Sequence, residues 1–113
     1  MERDEAKEKY VSIASLESAI RKTRKALLQM SRKGANTLLV EKRLKALEIG
    51  LAALEGKNAP ENPVEARGIL EGLLPSMMEI RGRMKSGSAQ ETLLNRRIQA
   101  IETAMELLER IRP

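Results

Sequence analysis

A helix with apolar residues in heptad spacing occurs twice in this sequence, and this repeat constrains the fold more than any other feature. The apolar seam of the first copy consists of Val40, Leu44, Leu47, Leu51 and Leu54. The seam of the second copy consists of Leu94, Ile98, Ile101, Met105 and Leu108. Placing Val40 on Leu94 superposes the two seams throughout, and we call this the repeat alignment. Spacing of this kind is typical of a helix that buries one stripe against a neighbour.

Another amphipathic helix precedes each copy. The stripe of the first such helix consists of Ile13, Leu16, Ile20, Thr23, Leu27 and Met30. The stripe of the second consists of Ala66, Leu70, Leu73, Met77, Ile80 and Met84. The repeat alignment places Leu16 on Leu70 and Met30 on Met84, and one residue is inserted after Thr37-Leu38-Leu39 in the first copy. The repeat unit is therefore predicted to be a helical hairpin, about 4–56 and about 62–111, within a single domain spanning 1–113.

Two such hairpins suggest one architecture. A single hairpin cannot bury both of its stripes, whereas two packed hairpins can. Short turns make consecutive helices antiparallel. The sequence therefore predicts an all-α fold, an up-down-up-down four-helix bundle built from two repeated antiparallel αα-hairpins. The alternative is a pair of long hairpins that completes the bundle only as a dimer.

Glycine, proline and capping residues predict the ends of the helices. Gly34, after two basic residues, ends the first helix, and Asn36 or Thr37 begins the second. Asn62-Pro63-Val64-Glu65 resembles a capping box that opens the third helix. We expect Pro75 to kink this helix rather than break it, because the heptad phase runs through it. The fourth helix is expected over about 89–111.

Composition argues against an enzyme. The chain has no cysteine and no histidine, which removes the usual nucleophilic thiol, the usual general base and the commonest zinc ligands. Four carboxylates flank the seams at helical spacing: Glu48, Glu55, Glu102 and Glu109. We interpret them as partners of interhelical ion pairs. The sequence therefore predicts a non-enzymatic protein with no catalytic residues, no metal site and no cofactor.

The apolar runs are too short for a membrane span. The longest, Ile49 to Leu54, is far below the roughly 20 residues that a bilayer requires. The N-terminal residues 1–5 are mostly charged and carry no apolar core of a signal peptide. We therefore expect a cytoplasmic protein that makes no contact with a membrane.

Basic residues concentrate in two segments. Residues 21–45 carry nine Lys or Arg and one Glu, and residues 81–97 carry five and one. In the predicted topology both segments surround the hairpin turns, so one end of the bundle should be basic. The candidate residues for binding an anion or a partner are Lys42, Arg43, Arg96, Arg97, Arg32, Lys33, Arg81 and Arg83.

The helix dipole accounts for only part of this pattern. Cations in the last turn of a helix, such as Arg32, Lys33 and Arg83, are stabilised by the dipole and need no partner. Lys42-Arg43 and Arg96-Arg97 lie near the starts of their helices, where the dipole opposes a cation. An ordinary solvated face remains the plain interpretation, and a binding site is the alternative.

Two functions remain open. The first is a protein–protein interaction or regulatory module, with a protein partner or with self-association, including a homodimer. The second is an anion- or nucleic-acid-binding bundle that uses the basic end formed by the two hairpin turns. Nucleic acid is the weaker alternative, because Tyr10 is the only aromatic residue and cannot provide a base-stacking platform.

Overall fold

The computed structural model describes residues 2–57 and 61–111, and within them the chain forms four α-helices and no strand. The helices are α1 (Glu2–Arg32), α2 (Leu38–Leu54), α3 (Pro63–Arg83) and α4 (Ala89–Arg110). The predicted all-α four-helix bundle is confirmed. The antiparallel direction of the hairpins and the boundaries of the domain and the repeats stay predictions. Part of the predicted linker, residues 58–60, lies outside the described residues, as do Met1 and residues 112–113.

Neighbouring helices contact one another around the bundle, and α2 also contacts α4 across it. Within the described residues the backbones of α1 and α3 stay more than 8 Å apart, Cα to Cα. The Cα trace measures 49 × 42 × 20 Å. The length of α1 accounts for the longest dimension, because its residues rise about 1.5 Å each. The molecule is therefore about twice as wide as it is thick. No helix in the described residues is long and apolar enough to cross a bilayer.

The core forms where the four helices meet. Leu16, Leu70, Ile101 and Leu108 are its largest fully buried side chains. Gly50 of α2 lies at the crossing: a Cβ placed there would be 3.3 Å from the Ala104 Cβ atom and 3.3 Å from Leu70 Cδ1. Because Gly50 and Ala104 carry little or no side chain, α2 and α4 approach closely and bring the other two helices together around them.

Burial follows the repeat alignment. Leu16 and its counterpart Leu70 are both fully buried, and Leu54 and its counterpart Leu108 are almost so. Gly50 and Ala104, which face each other at the crossing, are also counterparts in this alignment. The two copies therefore contribute equivalent residues to one shared core.

One part of the predicted seam is wrong. Ile80 was assigned to the buried stripe of α3, but its side chain is exposed. The buried residues of α3, Ala66 and Leu70, lie in its N-terminal half, so its C-terminal turns lie outside the core. Of the apolar side chains that these stripes do not include, Tyr10, Leu28, Leu38 and Met78 are exposed and Val11 is half-buried.

The helix ends mostly agree with the sequence. Gly34 adopts a left-handed φ of 72° directly after α1, as the stop pattern predicts. Helix α3 is continuous through Pro75, so the proline does not break it. The capping box at the start of α3 is wrong in one respect: Asn62 has a φ of 49° and its side chain accepts no capping hydrogen bond. Pro63 nevertheless occupies the first helical position, as predicted.

The start of α4 is capped more completely than the start of α2. The Ser88 hydroxyl accepts from the Glu91 N–H at 3.1 Å, and Glu91 Oε1 accepts from the Gly87 N–H at 2.9 Å. Thr37, at the start of α2, makes no side-chain capping bond.

We expect Ser88→Ala to lower the free energy of unfolding by about 1 kcal/mol, the usual cost of a lost N-cap. The matched change Thr37→Ala should cost only a few tenths of a kcal/mol, because that hydroxyl caps nothing. Urea unfolding followed by circular dichroism measures both. Equal losses in the two variants would contradict the assignment of Ser88 as a cap.

Candidate functional site

All four helices line a cavity of about 320 Å³. We call it the four-helix cavity. Its apolar wall is formed by Ala19, Val40, Leu47, Leu73 and Met77. Its cations are Lys22 of α1, Arg43 of α2 and Arg97 of α4. No carboxylate lines it among the described residues. The cavity therefore combines apolar surface with three positive charges.

The four-helix cavity is lined by counterparts from the two copies. Arg43 and Arg97 correspond in the repeat alignment, and so do Ala19 and Leu73 on its wall. Each hairpin thus contributes one arginine from an equivalent position. Lys22 has no basic counterpart, because Ser76 occupies the equivalent position in the second copy. Lys22 therefore makes the charge of the cavity asymmetric.

Arg97 is the most constrained of the three cations. Its Nη2 donates to Ser18 Oγ at 3.5 Å, a long contact, and its buried Nε has no acceptor among the described residues. Burial lowers the pKa of the Arg97 guanidinium, because loss of water disfavours the charged form. The guanidinium still stays charged, since arginine ordinarily titrates far above neutral pH. A half-buried charge with no carboxylate beside it attracts an anionic group, although the buried Nε itself is out of a ligand's reach.

A second, larger opening runs between α1 and α4, with a volume of about 520 Å³. We call it the α1/α4 groove. Its apolar residues include Tyr10, Val11, Met84, Leu93 and Leu94, and its cations are Lys22, Arg96 and Arg97. No carboxylate lines it among the described residues. Lys22 and Arg97 border both this groove and the four-helix cavity, so the two form one continuous surface.

The structure brings together only some of the basic residues predicted from the sequence. Arg43, Arg96 and Arg97 lie on this continuous surface. Lys42, although next to Arg43 in the chain, lines a different groove between α2 and α3. The adjacent cations therefore diverge, because consecutive helical side chains point about 100° apart.

The other four candidates border neither opening. Arg32 and Lys33 are exposed around the C-terminal end of α1. Arg81 donates to Asn95 Oδ1 at 3.1 Å, and Arg83 forms an ion pair with Glu79 one helical turn away. These contacts are surface interactions of the kind that contributes little to stability. A single basic end that includes all eight residues stays a prediction.

Lys22 is the site residue that sequence reasoning missed. It flanks the apolar stripe of α1 between Ala19 and Ala26, which also line the four-helix cavity. The available signal was weak: Lys22 is one of several basic residues between 21 and 25, and helical phase alone does not say which of them faces a neighbouring helix.

The predicted carboxylates form ion pairs in part. Glu48 pairs with Arg24 of α1 at 2.6 Å and Glu109 pairs with Arg67 of α3 at 3.7 Å, so the interhelical interpretation holds for these two. Glu55 pairs instead with Lys57, two residues away. The described residues contain no group of three side chains that could hold a metal ion.

No protein family, no curated protein and no solved structure matches the chain. The function therefore has to be argued from the cavity and the groove themselves.

Proposed function

We propose that this protein is a non-enzymatic binding module that recognises an acidic segment of a partner protein. The observation that supports the proposal is the four-helix cavity, where Lys22, Arg43 and Arg97 share an apolar wall and meet no carboxylate among the described residues. Cations grouped in this way repel one another, and a carboxylate from outside relieves that repulsion.

The apolar wall indicates which class of anion the surface suits. Leu73 and Met77, which are half-buried, give nothing to a phosphate but leave apolar surface that the side chains of a ligand can cover. A polypeptide segment that carries both carboxylates and apolar side chains fits the whole surface. A nucleic acid satisfies only the cations, and the surface offers it a single aromatic side chain, Tyr10.

Charge also argues against self-association through this surface. A two-fold dimer would place Lys22, Arg43 and Arg97 of one copy against the same cations of the other. Like charges brought together at an interface cost several kcal/mol. The partner is therefore a different, acidic protein.

We expect a double charge reversal, Arg43→Glu with Arg97→Glu, to weaken binding of an acidic peptide about thirtyfold, because about 2 kcal/mol of attraction is lost. The probe is a fluorescein-labelled amphipathic peptide with leucines on one helical face and glutamates on the other. Fluorescence polarisation measures its affinity, and far-UV circular dichroism checks that the variant keeps its helices.

The matched control is Arg32→Glu with Lys33→Glu, which changes the net charge equally but alters residues that border neither opening. It should change the affinity less than about threefold, since it affects only the long-range field. Because Arg97 is half-buried, Arg97→Gln serves as a milder second variant. Equal effects of the two double variants, or tighter binding of a DNA duplex than of the peptide, would contradict the proposal.

A further inference from the structure

We infer that the partner segment docks as an amphipathic helix in the α1/α4 groove alone, because the groove between α2 and α3 is much smaller and is lined by a carboxylate of the protein itself. This inference rests on the proposed function and adds to it the place, the number and the form of the ligand. The repeat makes it possible, since each copy provides an internal comparison for the other.

The two grooves are equivalent only in part: three of the eight residues that line the α2/α3 groove, Lys42, Glu65 and Ile69, are counterparts of residues that line the α1/α4 groove. In the repeat alignment, Arg96 of the α1/α4 groove corresponds to Lys42 of the α2/α3 groove, so a cation is retained at this place. Val11, however, corresponds to Glu65. The α2/α3 groove has a volume of only about 60 Å³, against about 520 Å³ for its counterpart.

One cation of the α2/α3 groove already forms an exposed ion pair with a carboxylate of this chain, and a second carboxylate lines the groove. Lys45 Nζ lies 3.5 Å from Glu61 Oε2, and Glu65 lines the same groove as Lys42 and Lys45. The α1/α4 groove has cations and no such carboxylate among the described residues. The α2/α3 groove therefore has a carboxylate of its own beside its cations, and the α1/α4 groove does not.

The dimensions of the open groove suit a short helix. From Tyr10 to Lys22 the axis of α1 rises about 18 Å, the length of about 12 helical residues. Tyr10 and Leu93 border the groove with 76% and 61% of their surface exposed, so these large apolar side chains are available to a ligand. An amphipathic helix would place its apolar face against them and its carboxylates near Lys22, Arg96 and Arg97.

The test makes the same substitution at two positions that correspond in the repeat alignment. Leu93→Glu places a carboxylate in the open groove, and Leu39→Glu makes the same change at the counterpart position, which is also exposed and lines neither groove. We expect Leu93→Glu to weaken binding of the leucine–glutamate peptide at least about tenfold, a loss of about 1.4 kcal/mol, and Leu39→Glu to leave the affinity within about twofold. Both side chains are exposed, so both variants should fold.

A second pair of variants tests the carboxylate that lines the α2/α3 groove. Val11→Glu introduces the carboxylate that its counterpart Glu65 supplies and should also weaken peptide binding about tenfold. The matched change Glu65→Val should leave the affinity of the α1/α4 groove unchanged. Isothermal titration of the unaltered protein should give one peptide per chain, and hydrogen exchange should slow in residues 10–22 and 90–97.

Several results would overturn the inference while leaving the proposed function standing. They are two peptides bound per chain, protection of residues 62–69 instead of 10–22, or equal affinities of the Leu93→Glu and Leu39→Glu variants. A homodimer in ultracentrifugation that protects the α1/α4 groove would make a second copy the occupant, and that result would overturn the proposed function as well as the inference. Failure of the unaltered protein to bind the peptide at all would contradict the proposed function, and the inference with it.

Discussion

Ile101→Asp is expected to unfold the protein at room temperature. Ile101 is completely buried in α4, in the core where the helices meet. The change removes an apolar side chain, which costs about 2–5 kcal/mol, and buries a carboxylate that no cation pairs with, which costs several kcal/mol more. Domains of this size have a total stability of about 5–15 kcal/mol, so most of it would be lost.

Gln99→Asp is the matched control, because Gln99 lies two residues away on the same helix and is exposed. A carboxylate introduced there stays hydrated and should change the stability by less than about 0.5 kcal/mol. Far-UV circular dichroism and urea titration distinguish the two variants. A folded Ile101→Asp protein with a stability like that of Gln99→Asp would show that the core does not lie where the helices cross.

Gly50→Leu is expected to cost about 3 kcal/mol, the second largest effect, because it overpacks the crossing of α2 and α4. A Cβ alone would come within 3.3 Å of the Ala104 Cβ atom, and that atom is fixed to the backbone of the facing helix. A leucine therefore fits only if the helices move apart. Thermal unfolding should show a lower midpoint.

The same substitution elsewhere should have the opposite sign. Gly68 lies on α3 at a place where a Cβ would meet nothing within 4 Å. Gly68→Leu should therefore raise stability by about 0.5–1 kcal/mol, the gain in helix propensity. If Gly50→Leu were neutral or stabilising, the close approach of α2 and α4 at Gly50 would be contradicted.

The helices and most of the core could be predicted from the sequence, because helical periodicity is a local signal. Leu47, Leu54, Ile98 and Leu108 were assigned to the seams from their spacing alone, and all are buried. Ile80 shows the limit of this reasoning. Its spacing marks it as a seam residue. Whether a neighbouring helix covers it depends on how the four helices pack.

Less of the candidate site could be predicted. The paired cations near the starts of α2 and α4 were selected because helix electrostatics did not account for them, and three of these four border the open surface. Lys42 faces another groove, which only the rotation of α2 in the bundle determines. Lys22 was missed, because helix packing, and not the spacing of residues along the sequence, decides that it borders the cavity.

The sequence by itself determined four helices, their apolar faces and the repeat of one hairpin, since each of these depends on residues a few turns apart or on direct comparison of the copies. Only the tertiary structure decided that α2 and α4 cross at Gly50 and Ala104, and that Lys22, Arg43 and Arg97 meet in one cavity. The physical reason is that the side chains at a contact decide how closely and at what angle two helices pack, and small residues let them approach. That geometry, and not the order of charges along the chain, decides which cations share a surface.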